Sequence, residues 1–188
     1  MHNSVITSFN FGKVFQNQGP SHSFLEPLFD SECDLQNIPA VQHGKKHEPA
    51  AIEAYFKKKS SDGQQVYRRQ CGLVLHPQFR FLGASPDGLV CDAGNYGLLE
   101  IKCPYTTYVD KKTVYEAAVD YAHFCCGVTD GVLKLKTIYH YFCQVQGQKS
   151  VLLPWNSGLV RSTFAVGGGE WLWVQAPSTV VGTPSRGP

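Results

Sequence analysis

No run of eighteen apolar residues occurs in the 188-residue chain, so no segment is suited to crossing a bilayer as a helix. The opening "MHNSVITSFNFGKVF" has neither a basic start nor a continuous apolar stretch, and the expectation is a soluble, intracellular chain without a signal peptide, nuclear and cytoplasmic sites being undistinguished. The seven cysteines form an odd set with no CxxC pair, which argues against both a disulfide framework and a zinc site. They read as reduced thiols, mostly small core residues. Charge is also scarce: 17% of residues are Asp, Glu, Lys or Arg, and a formal net charge of +2 is too small to announce a nucleic-acid binder by itself. Basic residues cluster at Lys45-Lys46, Lys57-Lys58-Lys59, Arg68-Arg69, Lys111-Lys112 and Lys134/Lys136. Their ordinary reading is solvated surface. No internal repeat is visible, and the length suits one domain with a sizeable core.

What the chain does contain is a set of short amphipathic segments. "SVITSFNFGKVF" suits a short helix packing through Val5, Phe11 and Val14. From Pro39 to about Lys59 a helical stripe runs through Ala51, Ile52, Tyr55 and Phe56, with Pro49 tolerated near its start or kinking it. Glu48 sits about one turn from this stripe. The centre is rich in β-branched and aromatic residues: "QVYRRQCGLVLH" and "FRFLGASPDGLVC" are broken by Pro77 and Pro86-Asp87-Gly88, "DAGNYG" supplies a hairpin loop, and "LLEIKC" returns as a strand. These predict an antiparallel meander. Thr113 to Cys126 reads as a helix with a Thr113/Glu116 capping box, an apolar face through Tyr115, Ala118, Val119 and Ala122, and Gly127 as its stop. "VLKLK" alternates as a strand after the Asp130-Gly131 turn, and "YHYFCQVQGQK" reads as a helix. His47, His76 and His140 have no metal-ligand spacing and read as structural or surface residues.

One stretch, "GASPDGLVCDAGNYGLLEIKCPY" from Gly83 to Tyr105, carries chemistry. In a strand, side chains two apart share a face, so Glu100 and Lys102 project together while Leu99 and Ile101 face the opposite layer. A hairpin of this length brings Asp87 beside Glu100. Two carboxylates and an ammonium then meet at one sheet edge, and the Ile101 carbonyl lies between the two side chains. Such hard oxygen donors suit Mg²⁺ or Mn²⁺. A bound ion of that kind polarises a phosphodiester and activates water, and Lys102 would orient the water or neutralise developing charge. Taken singly, Pro-Asp-Gly is an ordinary turn and "LEIK" an ordinary exposed strand face. Phosphodiester hydrolysis is the chemistry that explains all four groups together.

"ASPDGLV", "LLEIKCPY" and "YFCQVQGQ" closely resemble the YqaJ-like viral recombinase group that includes bacteriophage lambda exonuclease, within the restriction-endonuclease-like PD-(D/E)xK nucleases; the resemblance covers roughly residues 4–148. It implies an α/β restriction-endonuclease-like core, a central mixed β-sheet flanked by helices, and a metal-dependent DNA nuclease. By motif match, Asp87 and Glu100 would be metal ligands, with Ile101 lending its carbonyl and Lys102 as the catalytic lysine. Glu48, four residues after Gly44 and three before Ala51, matches the family's helical glutamate reaching toward the metal. Gln144 matches the glutamine opening the family's helical motif, and Gln148 shares its face one turn on. Ser8 in "VITSFNFGKV" matches a phosphate-contact hydroxyl. Two arginines usual in the family are missing, one before Ser8 and one after "KCPY", near Tyr108.

The resemblance further implies DNA as partner, and ring-shaped relatives make self-association compatible with the sequence. Residues 1–149 are expected as the nuclease-like domain, lacking its last elements, and 150–188 as a divergent, loosely ordered tail. A DNA-binding or interaction module that keeps the fold with weak or no turnover is the alternative reading.

Overall fold

The computed structural model describes residues 5–16, 35–92, 94–152 and 159–166. A short strand β1 (Ile6–Thr7) leads through a 3-10 turn at Ser8–Asn10 into helix α1 (Phe11–Gln16). A second 3-10 turn at Leu35–Asn37 precedes the long helix α2 (Pro39–Ser61), which Pro39 opens at its first turn, where a missing N–H is harmless. Pro49 therefore lies in the helix interior rather than near its start, and the helix runs through it. The buried face of α2 is Ala51, Ile52, Tyr55 and Lys59, close to the stripe expected from the sequence.

Then follow β2 (Val66–Arg69), β3 (Val74–Leu75), β4 (Leu82–Ala84), β5 (Gly88–Asp92) and β6 (Asn95–Lys102). The meander is present, but only β2, β5 and β6 belong to it, paired antiparallel in that order. β3 and β4 pair with each other, and β4 pairs parallel with β1, in a separate three-stranded sheet. The turn after β3 explains the split: Pro77 has no N–H to give a ladder, and the His76 Nδ1 accepts from the Gln78 and Phe79 N–H groups instead.

Helices α3 (Tyr105–Val109) and α4 (Val114–Asp120) come next. The capping box stands as expected, with the Glu116 N–H on Thr113 Oγ1 at 3.1 Å and the Thr113 N–H on Glu116 Oε2 at 2.8 Å. The helix, however, ends at Asp120, and its buried residues are Val114, Ala117 and Ala118, while Val119 is 62% exposed. Both stripes have helical spacing; the cap makes Val114 the first helical residue, and packing with Phe124 and Leu135 turns the 114-117-118 stripe inward. Gly127 stops no helix. It lies in β7 (Cys126–Thr129), hairpinned to β8 (Val132–Leu135) through Asp130 and Gly131, both at positive φ (54° and 72°) as a two-residue primed turn demands.

Helix α5 (His140–Leu152) then crosses back, and β9 (Leu159–Val166) pairs parallel with β6 along Tyr96–Lys102. The main sheet is thus mixed, in the order β2-β5-β6-β9. Part of the segment expected to be loose is therefore regular: the helix continues to Leu152 and residues 159–166 are extended, whereas 167–188 fall outside the described residues. The sequence "LVRSTFAV" has strand-forming residue types, and the free edge of β6 supplies the backbone partners.

Two apolar clusters sandwich β6. Leu98 packs with Val114, Ala117, Phe124, Leu135 and Val145; Leu99 and Ile101 pack with Ala51, Ile52 and Tyr55 of α2. The period-2 alternation thus places Glu100, the neighbour of Leu98 on its face, under α5. Among the six cysteines described, all free, only Cys125 and Cys126 are buried, fewer than expected. Among the described residues no helix is long and apolar enough to cross a membrane.

Candidate active site

The site grows from the open end of the β5–β6 pair. Gly88 pairs with Leu99, so β5 begins two residues too late to meet the Ile101 N–H. The Asp87 side chain takes that place, its Oδ2 accepting from Ile101 N at 2.6 Å. Because a strand residue directs its N–H and C=O to the same edge, the Ile101 carbonyl also faces the Asp87 side. Asp87 is held at its own backbone as well, its carbonyl accepting from Arg68 Nη2 at 2.8 Å. A Cβ at Gly88 would stand 3.1 Å from Arg68 Nε, so the small residue leaves room for that guanidinium.

Glu100 is 1% exposed. Burying a carboxylate is costly unless it is paired with a cation and hydrogen-bonded. Here Oε1 accepts from Lys102 Nζ and from Gln144 Nε2 (2.6 Å), and Oε2 accepts from Gln148 Nε2 (2.7 Å). Gln144 and Gln148 lie one turn apart on α5, both buried. Their amide oxygens are buried without a partner among the described residues, so the charge-assisted bonds to Glu100 fix which way both amides point. Lys102 Nζ also lies 5.2 Å from the centre of the Tyr141 ring.

The electrostatics are unbalanced. Burial, then the Glu100 carboxylate, and more weakly Glu48, push the Asp87 carboxyl up to about 7, against the opposing pull of the Ile101 N–H and Lys102. A divalent cation is the group that would relieve this crowding of negative charge. The donor set fits such an ion: Asp87 has Oδ1 free of that N–H bond, Glu100 Oε2 has a second lone pair, and the Ile101 carbonyl adds a neutral oxygen, all of them hard. Among the described residues no group of three or more His, Cys, Asp or Glu side chains lies close enough to form a ligand cluster. The set is two carboxylates and a carbonyl, with Glu48 at longer range.

The structure thus brings together Asp87, Glu100, Ile101, Lys102, Gln144 and Gln148, and sets Glu48 within electrostatic reach of Asp87. Ser8 is not hydrogen-bonded to this group. It is buried at the 3-10 turn after β1, in the segment where α1 docks on α5. That docking is close: a Cβ at Gly147 would fall 1.9 Å from Phe11 Cδ2. Sequence reasoning missed Arg68, although it had marked Arg68-Arg69 as a basic pair, and missed Tyr141. It read His140 as structural or surface; burial, Lys102 and Lys13 hold that imidazole below its ordinary range.

Residues 1–153 match the profile described as the YqaJ-like viral recombinase domain. The chain belongs to this family. Among solved structures it is similar to the alkaline exonuclease LHK-Exo from Laribacter hongkongensis, at 24% identity and a TM-score of 0.56, covering 88% of this chain and 70% of that one. It is also similar to LHK-Exo in complex with dAMP, at 21% identity and a TM-score of 0.60, covering 92% and 77%. The shared fold is that of the alkaline exonuclease, a mixed α/β core of small sheets flanked by helices. No curated protein matches the chain.

Proposed function

We propose that the chain is a deoxyribonuclease that hydrolyses DNA phosphodiesters with Mg²⁺ or Mn²⁺, working from ends as an exonuclease in recombination, repair or DNA processing. Membership in a viral recombinase family and the fold shared with an alkaline exonuclease support this reading. The observation that carries it is the meeting of Asp87, Glu100 and Lys102 at the open end of β5–β6, with the Ile101 backbone between them.

Asp87, Glu100 and the Ile101 carbonyl would hold the ion, with Glu48 as a more distant acid; when bound, the ion supplies Lewis acidity toward the phosphodiester. The other groups act around it. Gln144 and Gln148 fix the plane of Glu100, leaving it one free lone pair on Oε2. Lys102, steadied by Glu100 and the Tyr141 ring, presents an ammonium that orients the attacking water and neutralises charge developing on the phosphate. Ser8 is the hydroxyl proposed for phosphate contact.

Digestion of 5′-phosphorylated linear, unphosphorylated linear and circular DNA, each with Mg²⁺ and with chelator, tests this. Expected are metal-dependent loss of linear DNA, survival of circles, and at least a hundredfold lower rate for Lys102→Ala, the order of one oxyanion-type donor. Undiminished cleavage by purified Lys102→Ala would contradict the assignment. Retardation of a labelled duplex without shortening would favour the binding module instead, a reading that the tyrosine near the usual arginine position supports.

A further inference from the structure

Where α2 meets α3 lies a group of rings. His43 and His47 of α2 meet Tyr105 and Tyr108 of α3, with centroid separations of 4.3 Å for His43–His47, 4.8 Å for His43–Tyr108, 5.6 Å for His43–Tyr105 and 6.1 Å for Tyr105–Tyr108. None of the four belongs to either apolar core cluster. Sealing α2 against α3 explains the contact of His43 with Tyr105. It does not explain Tyr108, which is 62% exposed.

The position of these rings is specific. His47 immediately precedes Glu48, and Tyr105 follows Lys102 by three residues. Tyr105 also lines a cavity of about 750 Å³ shared with Pro104, Tyr139 and Tyr141, and Tyr141 is the ring on which the Lys102 ammonium rests. Tyr105 and Tyr141 thus line one cavity between Tyr108 and Lys102, with Asp110 and Asp120 also on its wall. Lys46, three residues on from His43, is exposed and supplies positive charge beside it. Burial, His47 and Lys46 hold the His43 imidazole below its ordinary range, which favours a neutral ring at pH 7.

We infer that His43, His47, Tyr105 and Tyr108 form a stacking platform for unpaired nucleobases of the strand held at the carboxylate site. Every base has a π-face, so such rings grip single-stranded nucleic acid without reading its sequence, while neighbouring positive charge tracks the phosphates. The inference rests on the nuclease reading for its substrate, single-stranded DNA at an opened end.

Two measurements separate the two. In EDTA, where no cleavage occurs, short single-stranded oligonucleotides that are fully based or carry abasic sites are titrated, with 2-aminopurine fluorescence as the report of stacking. Expected is roughly 5- to 100-fold tighter binding of the based strand, quenching of 2-aminopurine, loss of both in Tyr108→Ala and retention in Tyr108→Phe. Exposure of Tyr108 keeps its truncation away from the core, and far-UV circular dichroism of the variant checks this. Equal binding of based and abasic strands by the unmodified chain, or the same discrimination in Tyr108→Ala, overturns the platform. So does a Tyr108→Ala effect confined to 5′-phosphorylated strands, which would make the tyrosine a phosphate contact. Cleavage in Mg²⁺ is scored in parallel: no base discrimination with cleavage intact refutes the platform alone, whereas neither binding nor cleavage refutes the nuclease reading as well.

Discussion

Replacing Asp87 by asparagine keeps an oxygen for the Ile101 N–H but removes the group that titrates. Folding raises the Asp87 carboxyl from 3.8 to about 7. Below pH 4 both states carry the proton and the group is neutral in effect. Between pH 4 and 7 the unfolded chain gives the proton up while the folded chain retains it, so stability falls as pH rises, and above 7 the loss is complete. At 1.36 kcal/mol per unit the full loss is roughly 4 kcal/mol for the metal-free chain. His43 and His140, both held low by burial, act in the opposite direction, gaining stability as pH rises, but they are common to both proteins and cancel in the comparison. Urea unfolding in EDTA at pH 4.5 to 8, followed by circular dichroism, should show the unmodified chain weakening relative to Asp87→Asn across this window. Added Mg²⁺ should narrow the gap at pH 8, because a cation stabilises the ionised carboxylate. Parallel pH profiles for the two proteins would refute the description of Asp87 as a buried acid crowded by Glu100.

Gln148→Leu keeps the bulk but leaves Glu100 Oε2 without its donor. Loss of a hydrogen bond to a buried charge should lower stability by about 1.5–3 kcal/mol and reduce the single-turnover cleavage rate more than DNA affinity; an unchanged urea midpoint would show that Gln148 does not hold the carboxylate. Gly147→Ala drives a methyl into Phe11, and overpacking of about 1–3 kcal/mol should loosen α1 from α5, seen as faster hydrogen exchange in residues 5–16 and relieved by Phe11→Leu. Exchange identical to that of the unmodified chain would disprove the contact.

The site was legible because its determinants are local. Alternation alone placed Glu100 and Lys102 on one face of β6 and Leu99 and Ile101 on the other, and a turn at Pro86-Asp87-Gly88 sufficed to bring Asp87 to Glu100. One-turn spacing put Gln144 and Gln148 together, though nothing in that spacing revealed that both amides would end on the two oxygens of one carboxylate. What stayed hidden depended on chain segments distant in sequence. Val119 was offered as a core residue because two stripes on α4 have the same period, and only packing against Phe124 and Leu135 chooses between them. Arg68 looked like surface charge, since its acceptor is a backbone carbonyl nineteen residues away. β9 was obscured by the scarcity of charge around it, and its pairing with β6 is a matter of which edge stands open.

That pairing has a consequence for how the fold can be shortened. β6 carries Glu100 and Lys102 in the interior of its sheet only because residues 159–166 cover its far side, and a parallel neighbour cannot arrive by a hairpin; the chain must travel over α5 to deliver it. The helix holding Glu100 in place and the strand closing the sheet are therefore one crossover. A cut soon after Leu152 would leave the helix yet bare a row of backbone donors and acceptors beside Glu100 and Lys102, an invitation to strand exchange between molecules.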